Sequence, residues 1–223
     1  MPTSGSVNLY DNVYGDFAGG AERAVRQETY GEDLGQSSWT TAREWLGFAD
    51  QLGVAAGTEV LEVGSGSGGP AVYLAANRGC RVTGVDVNPL GVRNAASLAE
   101  ARGVSERARF EAVDANKPLP FADASFDVVV SNDTMCHIAN RAAVLRDWHR
   151  VLRPGGRALF TDAMVITGPV THEEIATRSS IGFYLFVPPG VNEAMLRDAG
   201  FTVRAVARRL SRFAYLAEKP ASS

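Results

Sequence analysis

The stretch VLEVGSGSGGP at residues 60–70 places Gly64, Gly66 and Gly69 in a G-x-G-x-x-G spacing, between an apolar run and a helix-like stretch. Such a loop lets backbone approach a nucleotide-like ligand closely, because glycine has no Cβ and tolerates left-handed dihedrals. Glu62 stands two residues before the first glycine. A dinucleotide would bring a pyrophosphate to this loop, and a carboxylate beside it would repel that group. Pro70 also removes a backbone donor from the helix start where a pyrophosphate would sit. A ligand carrying a cationic group suits the loop better. Two further acids follow at strand ends. Asp86 lies 22 residues after Gly64, where an acid accepts from ribose hydroxyls. Asp114, in AVDAN, could accept from an adenine amino group. Beyond the next strand, SNDTMCHI carries Asp133 and His137 four residues apart, on one face if that stretch turns helically. A histidine with a pKa of about 6.5 takes a proton from an amine or hydroxyl near neutral pH. An aspartate orients the histidine or pairs with a cationic amine. Plainer readings stand beside these: Glu62 facing solvent, Asp133 capping a turn, His137 bonding a backbone carbonyl.

The elements that would position these residues alternate in type. Residues 58–63, 81–87, 107–115, 126–132 and 157–163 read as strands, with helices over 69–79, 88–103 and 140–152 between them. Asn88 fits a helix N-cap, Pro89 the first helical position and Gly103 the end. RPGG at 153–156 reads as a turn. Strands alternating with helices imply βαβ units and a doubly wound, mostly parallel sheet. After a helix at 191–200, FTVRAVA and FAYLAEK follow within a few residues of each other, which permits a hairpin and not a parallel crossover. The fold class is therefore α/β and Rossmann-like, with one antiparallel strand near the sheet edge. Residues 1–56 read as a largely helical N-terminal lid, including an amphipathic helix at 37–53. Residues 57–223 form the core, with a lid insertion at about 164–189 that carries Phe183, Tyr184 and Phe186. Both lids would cover the C-terminal ends of the strands, where open α/β sheets bind ligands.

Composition narrows the classes. The 223 residues carry a net charge of −3, which argues against a nucleic-acid surface. No basic start, apolar leader or run of about 18 apolar residues marks a secretory signal or membrane span. Cys80 and Cys136 are the two cysteines, far apart, so a disulfide framework is not expected and a cytoplasmic location is the default. No metal-ligand spacing is present. His149 and His172 read as surface residues. The oligomeric state is open between monomer and homodimer.

S-adenosylmethionine (SAM) matches the ligand that the loop asks for: it has an α-ammonium, a sulfonium, a ribose and an adenine, and no phosphate. EVGSGSGGP, VTGVDVN, AVDANKPLPFADASFDVVVSNDTMCHI and VLRPGGRALFTD together resemble the successive motifs of class I SAM-dependent methyltransferases, over roughly residues 58–162. The resemblance implies the seven-stranded sheet with an antiparallel seventh strand. It implies that Glu62, Gly64, Ser65 and Gly66 meet the methionine end of SAM. Asp86 and Val87 would take the ribose side, Asp114 and Ala115 the adenine, and Ser131 and Asn132 the methionine portion near the transferring methyl. SNDTMCHIANR resembles the small-molecule branch, especially phosphoethanolamine and glycine/sarcosine N-methyltransferases, and implies Asp133 and His137 in the acceptor pocket as catalytic residues. The segment ETYGEDLGQSSWTT resembles the lid of these enzymes. It implies Ser37 or Ser38 on the SAM carboxylate and Tyr30 over the site, with Tyr10, Tyr14 and Tyr30 all candidates to partner the histidine. The short link at 208–212 departs from related enzymes, which carry a long helical excursion there. The expected activity is methyl transfer from SAM to a small-molecule amine or hydroxyl, leaving S-adenosylhomocysteine. An NAD(P)-dependent oxidoreductase and a SAM-binding module without turnover are the alternatives.

Overall fold

A computed structural model describes residues 14–15, 19–36, 38, 40–163, 187–208 and 212–221. Seven strands form one sheet: β1 (Glu59–Val63), β2 (Arg81–Asp86), β3 (Ala108–Ala112), β4 (Phe126–Ser131), β5 (Leu152–Ala163), β6 (Thr202–Arg208) and β7 (Arg212–Glu218). Their order is β3-β2-β1-β4-β5-β7-β6. Strands β1 to β5 pair in parallel, and β7 lies antiparallel between β5 and β6. The chain winds outward from β1 to β3, then returns to place β4 on the other side of β1. The C-terminal ends of β1 and β4 therefore flank the topological switch point, where ligand crevices open.

The strands alternate between two apolar layers, as a period of two requires. Leu61, Val63, Val129 and Phe160 face one layer with Trp148; Val60, Val128, Val130 and Leu159 face the other with Trp45 and Leu74. Around the sheet stand α1 (Gly20–Tyr30), α2 (Ala42–Leu52), α3 (Gly69–Arg78), α4 (Pro89–Ala101), α5 (Arg141–Val151) and α6 (Val191–Asp198). In the first layer Trp148 meets Phe160 edge-on at 6.0 Å, and Phe160 stacks on Tyr215 at 4.8 Å. Burying side chains of this size contributes about 1.5–3 kcal/mol each.

Three expectations need correction. The helix read over 37–53 starts only at Ala42, because Thr41 and Glu44 form a reciprocal capping box. The preceding Ser38 and Thr40 turn their hydroxyls to Asn132 instead. The RPGG turn is absorbed into β5: Phe126 pairs with Leu152 and Val128 with Arg157, so the extra residues form a bulge. Gly155 supplies its φ of +77°. His149 is half-buried, not a surface residue; its ring meets Phe201 edge-on at 5.2 Å. Residues 164–186, the bulk of the expected lid insertion with His172, lie outside the described residues.

Candidate active site

Between the ends of β1 and β4 the glycine loop, the end of β2, the segment after β4 and parts of the N-terminal region enclose one cleft. Its floor is a backbone knot. Gly64 and Ser65 both donate to the Val85 carbonyl, at 2.8 and 3.0 Å. Asp86 takes the Gly66 N–H on one carboxylate oxygen and the Asn88 N–H on the other, each at 2.8 Å. Asn88 then caps α4, accepting from Leu90 N–H at 2.8 Å. Trp45 donates to the Pro70 carbonyl at 3.0 Å, which fixes the start of α3 against α2. Gly64 has a φ of +76°, and a Cβ there would collide with the Thr134 side chain. A Cβ on Gly66 would come within 3.1 Å of the Tyr14 hydroxyl. Glycine is dictated here by conformation and by space together.

Glu62 ends up in this knot with 1% of its surface exposed. One oxygen, Oε2, has no hydrogen-bond partner, and the side chain lines the cleft. Burial, reinforced by the negative charge of Asp86, pushes its carboxyl up to about 8. Burial also raises Asp86, opposed by its two backbone hydrogen bonds and by His137. Beside Asp86, Val87 presents its side chain to the cleft with 69% of its surface exposed. An exposed apolar side chain next to an acid fits the face of a base above a ribose.

The other wall follows β4. Asn132 receives the Thr40 hydroxyl at 2.6 Å and donates to Ser38 Oγ at 2.6 Å, tying the N-terminal segment to the strand end. Asp133 has the left-handed φ of +53°. Thr161 on β5 holds it there: the Asp133 N–H donates to Thr161 Oγ1 at 2.8 Å, and that hydroxyl donates back to Asp133 Oδ1 at 2.6 Å. The chain then makes a 3-10 turn, Met135–His137, not an α-helical one. Asp133, Thr134 and His137 all line the cleft despite this tighter turn. Behind them, fully buried Arg141 pairs with Asp162 and donates to Asn192 at 3.0 Å. Cys136 is no nucleophile at neutral pH: burial, with Asp162 and Asp133 adding to it, pushes its thiol up to about 12.

Of the residues singled out from the sequence, Glu62, Gly64, Ser65, Gly66, Asp86, Val87, Asn132, Asp133, His137, Ser38 and Tyr14 line the cleft. Ser131 does not: its hydroxyl donates to the Val63 carbonyl at 2.8 Å and ties β4 to β1. Asp114 follows β3 outside the cleft wall, accepting from Asn116 N–H at 3.0 Å and facing Lys117 at 3.5 Å. Ala115 lines a separate hollow with Pro118 and Asp147. Ser37, Tyr10 and the Tyr30 side chain lie outside the described residues. Sequence reasoning assigned no cleft role to Gln36, Ser67, Asn88 and Thr134, which line it too. Thr134 carried one signal, its place between Asp133 and His137. Among the described residues no His, Cys, Asp and Glu group could hold a metal, and no helix is long and apolar enough to cross a membrane.

The donor set fits SAM. The unpartnered, buried Glu62 Oε2 suits an ammonium and Asp86 suits ribose hydroxyls, while no lysine or arginine lines the cleft among the described residues to meet a pyrophosphate, so the set favours SAM over a dinucleotide. A methyltransferase domain model matches residues 61–160. The 27-O-demethylrifamycin SV methyltransferase of Amycolatopsis mediterranei is 34% identical over 185 residues, covering 78% of this chain and 68% of that protein. A sarcosine/dimethylglycine N-methyltransferase of Halorhodospira halochloris is 31% identical, over 86% of this chain and 68% of its own length. The solved structure of Haemonchus contortus phosphoethanolamine N-methyltransferase 2 with S-adenosyl-L-methionine superposes with a TM-score of 0.80. It is 19% identical and spans 97% of this chain and 61% of that one. The order of the strands, the buried acid before the glycine loop and these relatives converge: the chain belongs to the class I SAM-dependent methyltransferases.

Proposed function

We propose that the acceptor atom is a hydroxyl oxygen of a neutral or cationic small molecule, and that His137 removes its proton as the methyl transfers. One observation carries this: His137 and Asp133 line the same cleft as Glu62 and the glycine loop. Methyl transfer from a sulfonium is an in-line displacement, for which the protein chiefly supplies alignment and exclusion of water. A neutral amine needs no base. A hydroxyl becomes a good nucleophile only as it loses its proton, and a histidine beside the donor meets that need. Asp86 and Asp133 give the cleft negative charge, and no lysine or arginine lines it among the described residues, which disfavours a phosphate or carboxylate acceptor. The rifamycin relative, named for an O-demethyl substrate, supports the same choice. Two buried free cysteines support a cytoplasmic location.

The test is transfer from labelled SAM to two acceptor sets. One set holds phenols and polyketide alcohols, the other ethanolamine phosphate, glycine and sarcosine. Hydroxyl turnover with an acidic limb in the pH–rate profile, lost in His137→Ala, is the expected result. Amine turnover that is indifferent to His137→Ala would overturn the assignment.

A further inference from the structure

We infer that Glu62 carries a proton in the cofactor-free protein and releases it to admit the α-ammonium of SAM, so that cofactor binding and proton release are one event. The inference rests on the SAM assignment and goes beyond it. Glu62 points from the end of β1 into the cleft and is all but inaccessible to water. The Ala71 backbone at the start of α3 donates to its carboxyl group, and Oε2 has no partner. The groups that share the cleft with it are chiefly acidic or neutral, and Asp86 is the charge that acts on it. From the end of β2 comes Asp86; from beyond β4 come Asp133 and His137; from the N-terminal region come Tyr14 and Gln36. No lysine or arginine lines the cleft among the described residues.

A carboxylate so placed, beside a second one, neutralises itself by binding a proton. Asp86 has both oxygens taken by backbone N–H groups, which favour its charged form. The proton of the pair therefore rests on Glu62, in line with a carboxyl pushed up to about 8. A cation at Oε2 reverses the balance, because a charge-assisted hydrogen bond replaces the lost O–H. The step conserves atoms and charge. The Glu62 O–H bond breaks, the electron pair stays on the carboxylate, the proton passes to buffer, and an ammonium N–H takes its place. Affinity for SAM then rises about tenfold per pH unit between pH 5 and 7, where the ligand's ammonium is intact.

Calorimetry of the full chain at pH 6, in two buffers of different ionisation enthalpy, counts the protons. Close to one proton should leave with SAM and with S-adenosylhomocysteine. Close to none should leave with 5′-methylthioadenosine, which lacks the amino-acid end, or with SAM binding to Glu62→Gln. Binding of SAM with no proton released, or equal release with 5′-methylthioadenosine, would overturn the inference without touching the cofactor assignment. Failure of the wild-type chain to bind SAM at all would overturn both. The methylthioadenosine arm uses the wild-type chain, so the result does not depend on the variant folding.

Discussion

The two walls of the cleft are built on different principles. The donor wall is backbone: a glycine loop bonded to the Val85 carbonyl and clamped by Asp86, all within residues 62–88. The opposite wall, which carries His137 and which we assign to the acceptor, is side chains meeting across the sequence. Asn132 joins Thr40 and Ser38, 92 and 94 residues away, and Thr161 reaches back 28 residues to Asp133. A wall made of backbone admits almost no substitution and serves one fixed ligand. A wall made of side chains is tunable residue by residue, which suits the part of the site that chooses the acceptor.

The contrast can be broken hardest at Gly64. Alanine there must adopt a φ of +76° and collide with Thr134. SAM affinity should fall by at least about 100-fold, with a stability loss of about 1–3 kcal/mol from backbone strain alone. Gly31 at the end of α1 is the control, with the same φ of +76° and nothing within 4 Å of a new Cβ. Gly31→Ala should show a loss from strain and leave SAM affinity unchanged. Equal affinity losses in the two variants, by calorimetry, would show that the tight donor wall is not what holds the cofactor.

On the acceptor wall the largest effect belongs to His137. His137→Gln should lower kcat by about 10²–10⁴, the usual contribution of a general base, while SAM affinity holds within a few-fold. A fall in SAM affinity without a fall in kcat would move His137 to the donor wall. Thr161→Val should act more weakly and indirectly. It removes the hydroxyl that fixes Asp133 at its left-handed φ, so kcat should drop about tenfold or more while KM for SAM stays put. Thr161→Ser keeps the hydroxyl and should restore the rate. No rescue by serine would mean that the methyl group's packing, and not the hydrogen bonds, is what matters.

The same division explains what the sequence discloses. Local patterns name local structure: the apolar runs give β1, β2 and β4 nearly to the residue, and Asn88 with Pro89 marks the start of α4. The donor wall is legible because its loop and its clamp are close in sequence and limited to few residue types. The β5 bulge was not legible, because a turn and a bulge use the same Pro-Gly-Gly chemistry and only the pairing with β4 separates them. Nor was the role of Thr161, whose hydroxyl looks like that of any strand threonine until Asp133 is beside it. Ser131 and Asn132 could not be told apart in sequence: the Ser131 hydroxyl ties β4 to the Val63 carbonyl, and Asn132, just past the end of β4, lines the cleft.

The smallest effect should come at Asp114, where the donor wall runs out. It stands at the end of β3, one strand beyond Asp86, and its carboxyl lies below the usual range, chiefly through the Asn116 backbone hydrogen bond. As an acceptor for the adenine amino group it would act in contact with water, where a hydrogen bond is worth about 0.5–1.5 kcal/mol. Asp114→Asn keeps the acceptor oxygen that serves the Asn116 turn and should weaken SAM less than tenfold. Asp86→Ala, which removes a buried clamp, should weaken it more. An inosine analogue of SAM, which lacks the amino group, separates position from charge: if Asp114 reads the adenine, wild type should bind the analogue less well than SAM, and Asp114→Asn should narrow that gap. An unchanged gap would place the adenine away from β3 and leave Asp114 as the cap of its own turn.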